Sequence, residues 1–481
     1  MSPTLNDTGV SRRTKALFAC ALVLLAFGFT AWAVSRLYLH HPFTDSWNFV
    51  QFLRVWHAGE AGWADFWAPY QNHRIPLARL LMAVLAQATY WNHGAEVALS
   101  LAFLAGAFCA VTGLLARTAR AMRRPFPWLL LPPVALLVFN LAQAVNLVWG
   151  WQFPLVASVA AVVAALALLH RADTGWWAFT GALFLTLCAT FLHGAGLLGW
   201  PACAVALAAP LLWRGAIPRT KLAVWCGVAA LCAGFYFWHL GEPFRQGKPP
   251  GALEHLWITL RYVAVFLGGP VGSVRPWATS YAGLLGLAAA GAVLGCLFIR
   301  RDGAVRASAP WLGMLAYPVF AALTVAWGRA RAGESFGTVA HGSLLEGAIS
   351  RYPTVALWFW VALIVLGWLA FAHGAEVSRS DGAPQRHRLY ATLRALAIAG
   401  LALLVLSTLL STRQGYYDTE ALQRFLYPHA RSVVSSERNA LPERLQYYYG
   451  DTHTADVRWL RQQGWSLFRP EWADYWRPPA E

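Results

Sequence analysis

Charge is scarce in this sequence. Only 12% of its 481 residues are Asp, Glu, Lys or Arg, and 58% are hydrophobic. A soluble domain carries about 25% charged residues, so that class is excluded. Several uncharged runs reach the roughly 20 residues that a helix needs to cross a bilayer. Acid is the rarer sign, 22 residues against 38 Lys and Arg, for a net charge of +16. In a soluble chain that excess would suggest nucleic acid. Here most basic residues sit in short connections between apolar runs, as the positive-inside rule requires of a membrane protein, and no nucleic-acid partner is expected.

Cysteine is sparse too. The seven (Cys20, Cys109, Cys188, Cys203, Cys226, Cys232 and Cys296) all fall in apolar runs. They read as small core residues without a disulfide. The histidines are scattered, with no HExxH motif or paired spacing, so no metal site is expected. No P-loop, dinucleotide fingerprint or GxSxG elbow occurs in a supporting context. Chemistry driven by a cytoplasmic nucleotide is therefore not expected, and no cofactor is.

The apolar runs give an all-α, polytopic membrane protein with about eleven transmembrane helices. The first, about 16–39, follows Arg12, Arg13 and Lys15, which places the N-terminus in the cytoplasm. It is long for a signal-peptide core and lacks a small-residue cleavage site before His40, so it is read as a retained span. Further spans fall at about 95–116, 126–141, 153–170, 175–192, 196–213, 222–239, 279–299, 309–327, 353–373 and 391–411. A loop with a half-buried helix occupies about 241–275. Pro76 to Trp91 is apolar but short. If it crossed, Arg117, Arg120, Arg123 and Arg124 would face outward, so it is read as an interfacial or re-entrant helix. Residues 1–412 then form the transmembrane module, and 413–481, which hold no span, form a small extracytoplasmic helical appendage. The C-terminus lies outside.

The first outward loop, about 40–94, is the densest polar stretch. Phe49, Phe52 and Trp56 fall at helical spacing, as in a helix lying in the interface. Asp45 opens that helix in PFTDSWN. Its bland reading is an N-cap, supplied by Thr44 or Asp45. Its functional reading is a general base at the membrane surface. The turn before Pro76 carries Asn72, His73 and Arg74 in YQNHR, a density that a mere connection does not need. The outward side also holds Arg245, Lys248, Arg261, Arg275, Arg329, Arg331 and Arg351, against the positive-inside rule. Guanidinium forks match phosphate oxygens, and a phosphate headgroup would account for them. Snorkelling to ordinary anionic lipid is the alternative. Asn146, Gln152, His193 and His239 lie near outer span ends and either line a cavity or satisfy helix ends.

This arrangement resembles the GT-C superfamily of membrane glycosyltransferases, which includes the protein O-mannosyltransferases and the aminoarabinose transferase of lipid A. The resemblance rests on Asp45 opening the first outward loop, on two interfacial helices there, on the HRIPLARLL run (His73 to Leu81), and on the basic turn Arg117–Arg124. It covers about the first 125 residues and the span layout beyond. It implies a GT-C-like enzyme of the bacterial inner membrane, without metal. Its donor would be a polyprenyl-phosphate-linked sugar, and its acceptor an extracytoplasmic glycan, lipid or protein. Asp45 would be the base of an inverting displacement. Arg275, Arg329, Arg331 and Arg351 would be phosphate ligands, with Arg329 and Arg351 favoured, and Asn72, His73 and Arg74 would bind substrate. Asp45 is followed by Ser46, where some relatives carry a second acid. The competing readings are a transporter or flippase of lipid-linked glycans, a polymerase or ligase, and a structural subunit. A transporter would favour polar groups buried mid-span and an internal repeat, and the sequence displays neither.

Overall fold

The computed structural model describes residues 11–70, 73–170, 175–213, 218–240, 251–272, 276–300, 307–331, 352–372, 384–435 and 454–472. Among them the chain is helical, and its only β pairing is one isolated bridge, Tyr70 to His73. Ten helices among the described residues are long and apolar enough to cross a membrane, as in a multi-pass membrane protein. Trp176–Leu192, also expected to span, is apolar but has 17 residues.

The first helix, α1 (Arg12–Leu37), starts where the Ser11 hydroxyl accepts the Thr14 amide at 3.2 Å. At 26 residues it is about 39 Å long, more than the roughly 30 Å of hydrocarbon. Three helices too short to span follow it: α2 (Ser46–His57), α3 (Trp63–Trp67) and α4 (Pro76–Thr89). Proline at the first position of α4 costs no hydrogen bond there. Next comes α5 (His93–Ala121), capped by Asn92, whose side chain accepts from Gly94 N at 2.9 Å.

The third span is broken into α6 (Leu131–Val138) and α7 (Ala144–Val148), joined and led by 3₁₀ turns. A broken helix inside a bilayer needs its freed backbone groups satisfied. Asn140 Oδ1 accepts from Ala142 N at 2.7 Å, and Gln143 Nε2 donates to Val138 O at 2.7 Å. Asn140 also donates to Pro270 O at 2.6 Å. The hydrophobic core is then built by α8 (Phe153–Leu168), α9 (Trp176–Leu192), α10 (Gly199–Ala208) and α11 (Arg219–Phe237), with α12 (Ala252–Gly272), α13 (Pro276–Arg300), α14 (Ala309–Arg331) and α15 (Pro353–Ala372). The expected half-buried helix is α12. It touches α13 so closely that a Cβ on Gly268 would overlap Thr279 O, and one on Gly283 would overlap Ala264 O. Small residues permit such backbone contact between membrane helices.

The last long helix, α16 (Pro384–Ser435), runs 52 residues and passes through positions 412–413 without a break. Beyond it, α17 (Thr454–Gln463) folds back onto α2. Val457, Leu460, Trp465 and Leu467 are buried there against Trp47, Val50, Leu53, Met82 and Trp91. The segment 454–472 therefore meets the first loop.

Candidate functional site

Leaving α1, the chain is pinned by Leu39 N donating to Val148 O at 2.9 Å. The Phe43 ring then meets Trp149 edge-on at 5.3 Å, and the Trp149 indole donates to Ser46 Oγ at 2.8 Å. Between these two anchors Thr44 has φ +40°. That conformation is uncommon for any side chain and strained for a β-branched one. Asp45 follows at the N-cap position of α2, partly exposed. Its side chain makes no capping hydrogen bond to that helix. The positive end of a helix dipole nevertheless favours its charge.

The second sequence candidate lies in a clasp. Tyr70 and His73 exchange backbone hydrogen bonds at 2.8 and 2.9 Å. Arg74 is 3% exposed and donates to the carbonyls of Trp67, Trp238 and His239, the last at 2.8 Å, with its guanidinium over the Trp67 ring. Arg79 donates to Phe66 O at 2.9 Å and to Ala68 O. These two forks hold the α3 segment and the end of α11 by their carbonyls. His73 Nδ1 lies 3.3 Å from the Tyr236 hydroxyl, and its ring is 5.3 Å from that of His193.

The turn between α7 and α8 links the two candidates. Trp149 faces Phe43 and Ser46, while Trp151 lies between Phe49 at 5.7 Å and Tyr70 at 5.2 Å. Asn146 Nδ2 donates to Thr354 Oγ1 at 2.7 Å. Gln152 is 2% exposed, and its Nε2 has no hydrogen-bond partner. Sequence placed Asn146 and Gln152 near outer span ends; both are fully buried beneath the first loop. Asn72, Arg275 and Arg351 lie outside the described residues. Arg329 and Arg331 fall in the last turn of α14.

Sequence reasoning missed a buried polar chain on the other flank of the loop. Glu96, 1% exposed, accepts from Trp91 Nε1 at 3.1 Å and meets His93 Nδ1 at 3.0 Å. His93 Nε2 meets Ser466 Oγ at 2.9 Å. Nearby, the His40 ring sits between Tyr38 at 4.0 Å and Trp472 at 4.4 Å. Burial, then repulsion from His41 and His93, pushes the His40 pKa down to about 3, so it is neutral. The available signal was the HGAE run, an acid opening an apolar span beside a histidine whose partner Ser466 lies 373 residues on. Among the described residues no three His, Cys, Asp or Glu cluster as a metal site would require. No protein-family model matches the chain, nor does any curated protein or solved structure.

Proposed function

We propose that the chain is a membrane glycosyltransferase of GT-C-like architecture, with α2 and α4 lying at the outer interface. It moves a sugar from a polyprenyl-phosphate donor to an extracytoplasmic acceptor. Asp45 takes the proton of the acceptor hydroxyl, whose oxygen attacks the anomeric carbon. The bond to the lipid phosphate breaks with inversion, and the phosphate leaves as the anion. The observation that carries this reading is Asp45 itself. It is an acid at a helix start that makes no capping bond, placed by a strained Thr44 between two buried anchors. Strain of this kind persists only where surrounding structure over-determines it, and it clusters at functional sites.

The transport reading also has one observation behind it. The broken span α6–α7 buries Asn140, Gln143 and Asn146, and discontinuous helices with polar interiors are a feature of transporters. One experiment separates the two. Surface glycans and lipid A from a deletion strain are profiled by mass after rescue with wild type or Asp45→Asn. Transfer predicts loss of one sugar mass, restored by wild type alone. Equal rescue by both removes Asp45 from the mechanism and leaves transport.

A further inference from the structure

Helices α1 and α16 run side by side in the same direction. The Trp32 ring lies parallel to Tyr416 at 6.0 Å, and Gln423 Nε2 donates to Arg36 O at 3.2 Å. Leu422 and Leu426 pack with Leu39 and Phe43. Both helices stand off the bundle, with only 22% and 11% of their most apolar windows buried. Below Trp32 they part and leave a groove of about 560 Å³, floored by Pro132 and Leu136 of α6 and walled by Leu25, Phe29 and Leu409. The hydroxyls at its base are already used. Thr30 donates to Phe139 O, and Thr412 donates to Asn140 Oδ1 at 3.1 Å. Around these two threonines the groove offers mainly hydrocarbon.

Its end nearest the first loop is different. Arg413 lies there with its guanidinium 5.6 Å from the Tyr417 ring, beside Trp32 and Tyr416. Tryptophan and tyrosine rings in a membrane helix mark headgroup depth. The neighbouring acids on α16 are engaged elsewhere: Asp418 accepts from Gln414 at 2.8 Å, and Glu420 pairs with Arg424 at 2.9 Å. One cation thus tops an apolar slot at the level of lipid phosphates.

We propose that this groove is a binding site for an anionic phospholipid, with one acyl chain between α1, α6 and α16 and the phosphate on Arg413. The site is separate from Asp45. Arg413 lies nine residues before Leu422, or roughly 14 Å down the helix. The bound lipid completes the α1–α16 contact beneath Phe43 and stands whether or not the chain transfers sugar.

The test uses the full-length protein in nanodiscs of equal phosphatidylglycerol and phosphatidylcholine, with retained lipids counted by native mass spectrometry. Wild type is expected to retain phosphatidylglycerol preferentially. Arg413→Gln is expected to lower that enrichment about fivefold, the effect of one interfacial cation on an anionic lipid, and Arg413→Lys to keep it. Ala26→Phe fills the groove while leaving the cation, and is expected to abolish retention. Circular dichroism of each variant confirms that the helices are intact. Equal retention of the two lipids by wild type overturns the proposal. So does undiminished enrichment in Arg413→Gln or Ala26→Phe, or displacement of phosphatidylglycerol by added polyprenyl phosphate.

Discussion

Replacing Gly150 by alanine adds a single methyl group to a buried turn. That methyl would overlap Glu96 Oε2 and lie 3.0 and 3.1 Å from Glu96 Cβ and Cδ. The backbone has little freedom to retreat, because Trp149 is tied to Ser46 and Trp151 is wedged between Phe49 and Tyr70. The carboxylate must therefore leave Trp91 Nε1 and His93 Nδ1, from a site 1% exposed. Breaking a buried pair while leaving its charge uncompensated costs about 3–5 kcal/mol. Displacing His93 also loosens its contact with Ser466, so residues 454–472 should become sensitive to protease. The assay is denaturant unfolding in detergent together with limited proteolysis. A Gly150→Ala protein within about 1 kcal/mol of wild type would refute the reasoning. The partner measurement is Gly150→Ala in a Glu96→Ala background. With no carboxylate to displace, its cost should fall below about 1 kcal/mol, and an undiminished cost would place the clash elsewhere.

On the proposed function, Asp45→Asn should reduce transfer by about 10²–10⁴-fold, the usual contribution of a positioned base, with unchanged unfolding; a fully active variant removes that role. His40 should make the protein acid-sensitive. Between pH about 6.5 and about 3 its unfolded form takes up a proton that the folded form refuses, so stability falls with pH by about 1.4 kcal/mol per unit for one such group. His40→Phe keeps a ring between Tyr38 and Trp472 and should flatten that slope in unfolding midpoints measured at pH 7, 5 and 4. Asp456, only 3% exposed at its side chain, bonds Arg54 at 3.2 Å. Asp456→Asn should cost about 1 kcal/mol, discounted because Arg54 is half exposed, and should speed proteolysis of 454–472 with little change elsewhere.

The spans were legible because a bilayer demands long apolar helices whatever their neighbours. Sequence located the apolar run at Trp176–Leu192 as readily as α1, although its helix, at 17 residues, is shorter than the ten candidate spans. The broken third span was not legible in its detail. Its 3₁₀ turns depend on Asn140 reaching Pro270 on α12 and on Gln143 reaching back to Val138, and the first of these is a tertiary contact. For the site, position told which residues were polar and close to span ends but not where their polar atoms went. Arg74 illustrates this. A guanidinium in a dense polar turn suggests a ligand, yet its fork is spent on the carbonyls of Trp67, Trp238 and His239. Glu96 escaped attention for the opposite reason. A lone acid at the start of an apolar run looks like helix-end chemistry, and only the fold brings Ser466 to its partner His93.

The frame around Asp45 draws on parts of the chain that lie far apart. Leu39 and Phe43 are held by Val148 and Trp149 and by Leu422 and Leu426 of α16, His40 by Trp472, and the start of α5 by Ser466. Each contact alone is modest, but together they fix both flanks of a turn only a few residues long. A base that must meet a hydroxyl within hydrogen-bond reach gains from such fixing. A helix cap needs none of it, since any polar residue in a relaxed turn would serve. The convergence of these distant segments on the turn that carries Asp45 therefore argues for a role that depends on its position. It also explains why the C-terminal segment folds back across the loop instead of trailing from the last span.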